Sequence, residues 1–430
     1  MPKLVIVGAG SATFTGRLLG DLTTFPELGG SNVVLHDIDE GRLATATALG
    51  HRIIESAGFR TRITATTDRA RALEGADHVI ILVQVGGAAA METDLSIPAR
   101  YGLDQTIGDS YGIGGIMRGL RTIPVLLDVV ADAAEFADAP TILNFANPMA
   151  ANCWAMNDFA PLPIVGLCHS VPYTANYLAR DLGIGRRELE YVVAGINHLA
   201  FFLELRHNGA DLRPRLEALY RDGLSPAKNK VRYELLARIG YFVTESSEHF
   251  AEYNPWFLKK GRPDLISRFN IPVNDMLRRQ ELRVAEWRAT EELLVSAERV
   301  QVSRSEEFAL PIIASMVTDQ VRHVYANVRN EGAILNLPRD CIVEVPCSVD
   351  AAGVHPAPVG CLPPVLQGMM EPHITVQRLL VEAAVTGRRQ SVYEAAMLDP
   401  HTAAVLDLDQ IWELVDLLLD AHRAVLPMLA

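Results

Sequence analysis

The chain has 430 residues, 49% hydrophobic and 21% charged, enough apolar content for a large core and enough length for two structural units. A formal net charge of -13 repels phosphate backbones and anionic lipid, and no basic run is longer than a pair such as Lys259-Lys260, so neither nucleic acid nor a membrane surface is expected as a partner. Five cysteines, odd in number and scattered from Cys153 to Cys361, fit free thiols in a reducing, cytoplasmic compartment better than a disulfide framework.

The opening "MPKLVIVGAGS" has too short an apolar run for a signal peptide and no cleavage-like site after it, so it reads as a first strand. Further strands are predicted at "NVVLHD", "RITATT", "HVIILVQ", "TILNFAN" and "PIVGLC". Between them lie amphipathic stretches, among them Gly115 to Phe136, where Ile116, Leu120, Ile123, Leu127 and Val130 recur at helical spacing. Alternating strands and helices predict a Rossmann-like, doubly wound parallel sheet over residues 1–195. Beyond it, residues 196–430 read as a mixed α+β domain for substrate, metal and oligomerisation. It has a charged helical middle, the strand-like "CIVEVPCSVDAAGVHPAPVGCLPP", and two final helices at "HITVQRLLVEAAVTG" and "DLDQIWELVDLLLDAHRAVL". The apolar "LLLDAHRAVLPML" is too greasy for an exposed tail, which suggests a homo-oligomer, dimer or tetramer.

The turn "LVIVGAGSATF" places Gly8 and Gly10 between a strand and a helix, where the missing Cβ lets backbone approach a pyrophosphate at the helix N-terminus. Thr13 replaces the third glycine of the fingerprint, and a bare tight turn fits those residues alone. The second strand, however, ends in "VVLHDID", whose Asp37 is suited to accept both ribose hydroxyls of an adenosine and disfavours a 2'-phosphate. The expected cofactor is NAD rather than NADP, with Ser11, Thr13 and Val83 in the same binding set.

Cys168 and His198 follow the apolar runs "PIVGLC" and "YVVAGINH", and in a parallel sheet the carboxyl ends of strands converge on the ligand crevice. Either residue alone reads equally well as a buried core side chain. Together, with Asn147, His169 and Asn197 close by, they suggest an open metal site completed by water or substrate hydroxyls.

With "GAGSATF", "LNFANPMAANCW", "GLCHS", "AGINHLAFF" and "GAILNLPRDCIVEVPCSVDAAGVHP" in one order, the chain resembles glycoside hydrolase family 4, the NAD- and metal-dependent glycosidases. The resemblance covers nearly the whole length, and "GLCHSV" and "GYFVTESSEHFAEY" are most similar to blocks of the α-galactosidase branch. It implies an oxidation, elimination, addition and reduction route outside the two-carboxylate scheme. NAD+ takes hydride from C3, the ketone acidifies C2, a base removes the C2 proton, the C1 oxygen leaves, water adds, and the hydride returns. It also implies Cys168 and His198 as ligands of Mn2+, which stabilises the developing enolate, and Asn147 as a contact to sugar hydroxyls.

The resemblance implies a tyrosine base after the metal histidine, for which Tyr241 fits best and Tyr253 is the reserve. His169 stands where a 6-phospho-glucosidase branch carries an acidic proton donor, and Asp109 in "TIGDSYGIGG" is a second candidate for acid or substrate ligand, or else a helix cap. Glu245, Glu248 and His249 are expected to shape the sugar pocket, and Arg262 to reach a substrate oxygen or to lie in a solvated basic loop. Phosphate-requiring members carry an arginine where this chain has Met91, so an unphosphorylated α-galactoside is expected. The alternatives are an α-glucosidase or α-galacturonidase by the same route, a plain NAD-dependent 2-hydroxy acid dehydrogenase, and a non-catalytic NAD sensor.

Overall fold

The computed structural model describes residues 1–296 and 300–430. Its strands are β1 (Lys3–Val7), β2 (Asn32–His36), β3 (Arg62–Thr66), β4 (His78–Ile81), β5 (Thr141–Asn144), β6 (Ile164–Gly166), β7 (Glu190–Ile196), β8 (Leu199–His207), β9 (Ala210–Asp211), β10 (Phe242–Val243), β11 (Arg322–Arg329), β12 (Ile342–Asp350) and β13 (Gly353–Pro356). All join one sheet in the order β10-β8-β7-β12-β11-β6-β5-β4-β1-β2-β3, with β13 on β12 and β9 on β8. The run from β3 to β6 is parallel throughout, the Rossmann-like half expected from the alternating pattern. Apart from the edge strand β3, its strands are buried almost throughout and read as largely apolar runs, as expected where helices cover both faces. The helices Ala12–Leu22 and Glu40–Ala57 pack through glycines, since a Cβ on Gly16 or Gly50 would come within 2.8 Å of Leu49 or Leu19. Close helix contact, one task of a third fingerprint glycine, is carried here by Gly16, while Thr13 is exposed.

Past β6 the pairing turns antiparallel: β11 and β12 wedge between β6 and the β7–β8 hairpin. The expected reason for Cys168 and His198 to meet, two carboxyl ends in a parallel sheet, therefore does not hold for β7. His198 sits instead in the tight turn between β7 and β8, with φ +62.

The C-terminal helix Leu408–Ala421 buries Ile411, Leu414, Val415, Leu418 and Leu419 within the chain. Just after it, His422 Nε2 lies 2.8 Å from buried Asp94, which also binds Arg121. Of the apolar stretch "LLLDAHRAVLPML", Leu418 and Leu419 are buried within the chain, whereas Leu417, Val425 and Met428 remain exposed. All five cysteines are free, and among the described residues no helix is long and apolar enough to cross a membrane.

Candidate active site

The glycine turn lies at the top of β1. Gly8 has φ +87, and a Cβ there would lie 2.9 Å from the Leu82 carbonyl carbon and the Val83 nitrogen at the end of β4. Gly10 N–H donates to Asp37 Oδ2 at 2.7 Å, and Asp39 N–H donates to Asp37 Oδ1 at 3.0 Å. Two backbone donors thus orient the Asp37 carboxylate and leave it lone pairs for further hydroxyls. Ser11, at the start of the helix Ala12–Leu22, makes no side-chain cap, so the first-turn N–H groups are open to an anion. These are features that a dinucleotide fits.

Two residues past β6, Cys168 meets His198 and a third group, Glu245; their ligand atoms all lie within 4.8 Å of one another, and all three residues are buried. Thiol, imidazole and carboxylate make a donor set that suits a divalent ion. Glu245 Oε2 is 3.3 Å from His198 Nε2 and accepts from Ser170 Oγ at 2.5 Å, while Ser170 Oγ is 3.0 Å from Cys168 Sγ. Burial, outweighing the Glu245 charge, lowers the His198 pKa and so favours the neutral ring that a metal ligand needs. Burial also drives the Cys168 thiol well above its ordinary value, with Glu344 and Glu245 adding to it. Against its own burial, Glu245 is held far down the scale by His198, His249 and the Ser170 hydroxyl.

His198 Nδ1, on the other side of the ring, lies 3.2 Å from the Tyr253 hydroxyl, which is 3.1 Å from His249 Nδ1. His249 Nε2 is buried without a hydrogen-bond partner. Tyr111 secures the His198 turn by donating to the Asn197 carbonyl at 2.6 Å. A non-glycine residue at positive φ costs about 1 kcal/mol or more, so such a turn needs an external hold.

A loop before the helix Gly112–Phe136 brings up Asp109. Glu252, almost fully buried, accepts from three successive backbone N–H groups, Thr106 at 2.6 Å, Ile107 at 3.1 Å and Gly108 at 2.9 Å. Asp109 then accepts from Asn147 Nδ2 at 3.2 Å and from Ser110 Oγ at 2.7 Å, and lies 3.7 Å from Arg118. Although burial opposes it, Arg118, His249 and His198 hold the Asp109 carboxyl far below the usual range. It is an ionised acceptor and does not cap the following helix, whose N-cap is Tyr111.

Residues 3–184 match the family model described as family 4 glycosyl hydrolase, and residues 193–402 match that of the family 4 glycosyl hydrolase C-terminal domain. An α-galactosidase of Bacillus subtilis (strain 168) is 39% identical over 99% of both chains. This chain belongs to glycosyl hydrolase family 4. A Rhizobium meliloti (strain 1021) α-galactosidase is 38% identical over all of this chain and 90% of its own. Among solved structures, a putative glucosidase from Bacillus subtilis superposes with TM-score 0.89 at 25% identity, covering 97% of this chain and 99% of its own. A 6-phospho-α-glucosidase from gut microorganisms, in complex with NAD and Mn2+, superposes with TM-score 0.84 at 21% identity over the full length of both.

Other candidate residues of this family 4 hydrolase lie differently from the cluster. Tyr241 is half-buried, and its charge neighbour is Arg213, whereas Tyr253 bonds directly to His198. Arg262 is exposed and spends its guanidinium on Asp264. His169, half-exposed, lies 3.5 Å from buried Glu307 and edge-on to Tyr173. Glu248 pairs with Arg279, while its neighbours Glu245 and His249 face each other at 3.5 Å. Met91 is buried with Leu95, Ile107 and Met276, and Glu92 beside it is exposed. Glu245 as a third donor and Tyr253 as the cluster's tyrosine had one sequence signal. In "ESSEHFAEY", Glu245, His249 and Tyr253 are spaced four apart, one face of a helical turn.

Proposed function

We propose that this family 4 hydrolase cleaves an unphosphorylated α-galactoside, with NAD on the Gly8–Thr13 turn and a divalent ion, Mn2+, on Cys168, His198 and Glu245. When bound, the nicotinamide supplies reversible hydride transfer at C3 and the ion a positive charge for the C2 and C3 oxygens. The chain's own groups do the rest. The Asp109 carboxylate and the Asn147 amide, joined at 3.2 Å, accept from and donate to sugar hydroxyls. Tyr253 Oη takes the C2 proton once its own has passed to His249 Nδ1, 3.1 Å away; burial holds that hydroxyl well above its ordinary pKa in the metal-free chain, so the step would need the ion's charge beside it. His169, steadied by Glu307, protonates the departing glycosidic oxygen. Met91, buried with Leu95, Ile107 and Met276, offers nothing to a phosphate dianion, which supports an unphosphorylated sugar.

The observation that carries this reading is the convergence of Cys168, His198 and Glu245 beside Tyr253, in a chain 39% identical to an α-galactosidase. The test is p-nitrophenyl α-galactoside in D2O with NAD+, Mn2+ and a thiol reductant. Nitrophenol release should need both additions, leave no stoichiometric NADH, and give galactose carrying deuterium at C2. Turnover confined to α-glucosides or α-galacturonides would replace the substrate assignment, and net NADH with a hydroxy acid would replace the reaction.

A further inference from the structure

Glu344 is fully buried on β12, and neither of its carboxyl oxygens has a hydrogen-bond partner. A bare carboxylate there is expensive, so such a group is paired, protonated or selected against. Its place in the sheet is specific. Glu344 stands opposite Asn327 of β11 on one side and Gly195 of β7 on the other, and Asn327 stands opposite Gly166 of β6. These four positions form one line across the sheet, from the strand that ends two residues before Cys168 to the strand that ends two residues before His198. Both ends of the line are tight. A Cβ on Gly166 would lie 2.8 Å from Asn327 Cβ, and one on Gly195 would lie 2.5 Å from the Leu199 carbonyl oxygen.

Asn327 Nδ2 is directed to the Gly166 carbonyl at 3.4 Å, and its Oδ1 is buried without a partner. The Asn327 side chain faces the Glu344 carboxyl closely enough to act on it, and an amide N–H turned that way would favour the ionised acid. Orphaned acceptors therefore meet across two strands, and a single proton satisfies them if Glu344 holds it and donates to Asn327 Oδ1. Burial foremost, then Glu245, raises the Glu344 pKa to about 8 and outweighs Asn327, which acts the other way, so the proton stays near neutrality. A neutral Glu344 also removes one of the charges that oppose ionisation of Cys168.

We propose that Glu344 and Asn327, joined by a carboxyl O–H to amide oxygen hydrogen bond, are a positioning pair that fixes the spacing of Cys168 and His198 behind the ion. This rests on the metal reading of those ligands. The test loads the full-length protein with Co2+ and reads the thiolate-to-metal charge-transfer absorption, together with Mn2+ and NAD+ dissociation constants. Native protein should show the band and Cys168→Ser should lack it; a native protein without the band overturns the metal reading and this proposal with it. Glu344→Gln keeps a neutral donor and should retain the band with Mn2+ affinity within about threefold. Glu344→Met fills the space without a donor and should bind NAD+ normally but Mn2+ about tenfold or more weakly, the usual effect of losing outer support of a metal site. Asn327→Leu, which removes the other half, should match it and serves if Glu344→Met fails to fold. Native Mn2+ affinity in either apolar variant overturns the strut, and a Gln variant as weak as the Met variant assigns the effect to carboxylate charge and overturns it as well.

Discussion

Tyr253 Oη lies 3.2 Å from His198 Nδ1, on the face of the imidazole opposite the nitrogen that Glu245 approaches. With Nε2 turned to a bound ion, Nδ1 would carry the proton and donate to Tyr253, whose own proton would point to His249. On the proposed function, removing the hydroxyl takes away both the base and an outer support of His198. At saturating Mn2+, Tyr253→Phe should therefore lower kcat by about 10²–10⁴, the range for loss of a general base, and weaken Mn2+ about tenfold or more. Tyr241→Phe should change kcat by less than about threefold, since its charge neighbour is Arg213. Steady-state kinetics of the two variants decide which tyrosine works at C2.

Metal uptake should be steeply pH-dependent. Burial foremost places the Cys168 thiol well above its ordinary value in the metal-free chain, so the thiol is protonated at neutral pH. Only the thiolate ligates, and each ion bound displaces that proton. The Mn2+ dissociation constant should fall about tenfold per pH unit across pH 6–8, with about one proton released per ion in a weakly buffered indicator titration. Cys168→Ser should lose both the slope and most of the affinity.

The Asp109 loop hangs on Glu252. Three consecutive N–H groups converge on that one buried carboxylate, which fixes the backbone from Thr106 to Gly108 and hence where Asp109 stands. Glu252→Ala strands three buried donors, each costing about 1–3 kcal/mol unless water replaces the carboxylate. The expected result is a fall of several degrees in Tm and a raised KM, with Mn2+ affinity close to native because no metal donor is on that loop. Equal losses in KM and metal affinity would place the loop's influence on the ligands instead.

Much of this was written locally. The inner parallel strands were legible because helices on both faces force apolar runs such as "LVIV" and "HVII", and the edge strand "RITAT" by its alternation of β-branched residues. The site was half legible. Cys168 and His198 each follow a strand, but nothing within either segment announces that β11 and β12, more than 100 residues later, wedge between their strands and decide how they meet. Such pairings are non-local and leave only a period-two pattern. Glu344 shows the same gap, because in "CIVEVPCSV" a charge at an alternating position looks like an ordinary solvent-facing residue. Its burial comes from neighbours supplied by β7 and β11. Tyr241 fits best the block in which the resemblance puts a tyrosine after His198, whereas the chain just past the helical turn Ser247–Ala251 is what carries Tyr253 to that histidine.

That buried acid has a consequence for stability, separable from activity. In metal-free protein Glu344 is surrounded by Asn327 and feels Glu245, while Cys168 and Tyr111 in turn feel Glu344. Its folded pKa of about 8 lies above the ordinary 4.5. The folded chain thus binds the proton more tightly than the unfolded chain, and the resulting stability is complete below about 4.5 and lost as pH rises through about 8. Each pH unit in that window corresponds to about 1.4 kcal/mol, so the native chain should lose on the order of 3 kcal/mol between pH 5.5 and 8 relative to Glu344→Gln, which has no proton to lose. Denaturant unfolding of both proteins in EDTA measures the difference directly. Mn2+ should flatten it, because a divalent charge nearby favours the ionised carboxyl and narrows the gap between folded and unfolded chain. Parallel curves for the two metal-free proteins would mean that Glu344 is already ionised in the fold, and Asn327 would then have to turn its amide nitrogen from Gly166 to meet it.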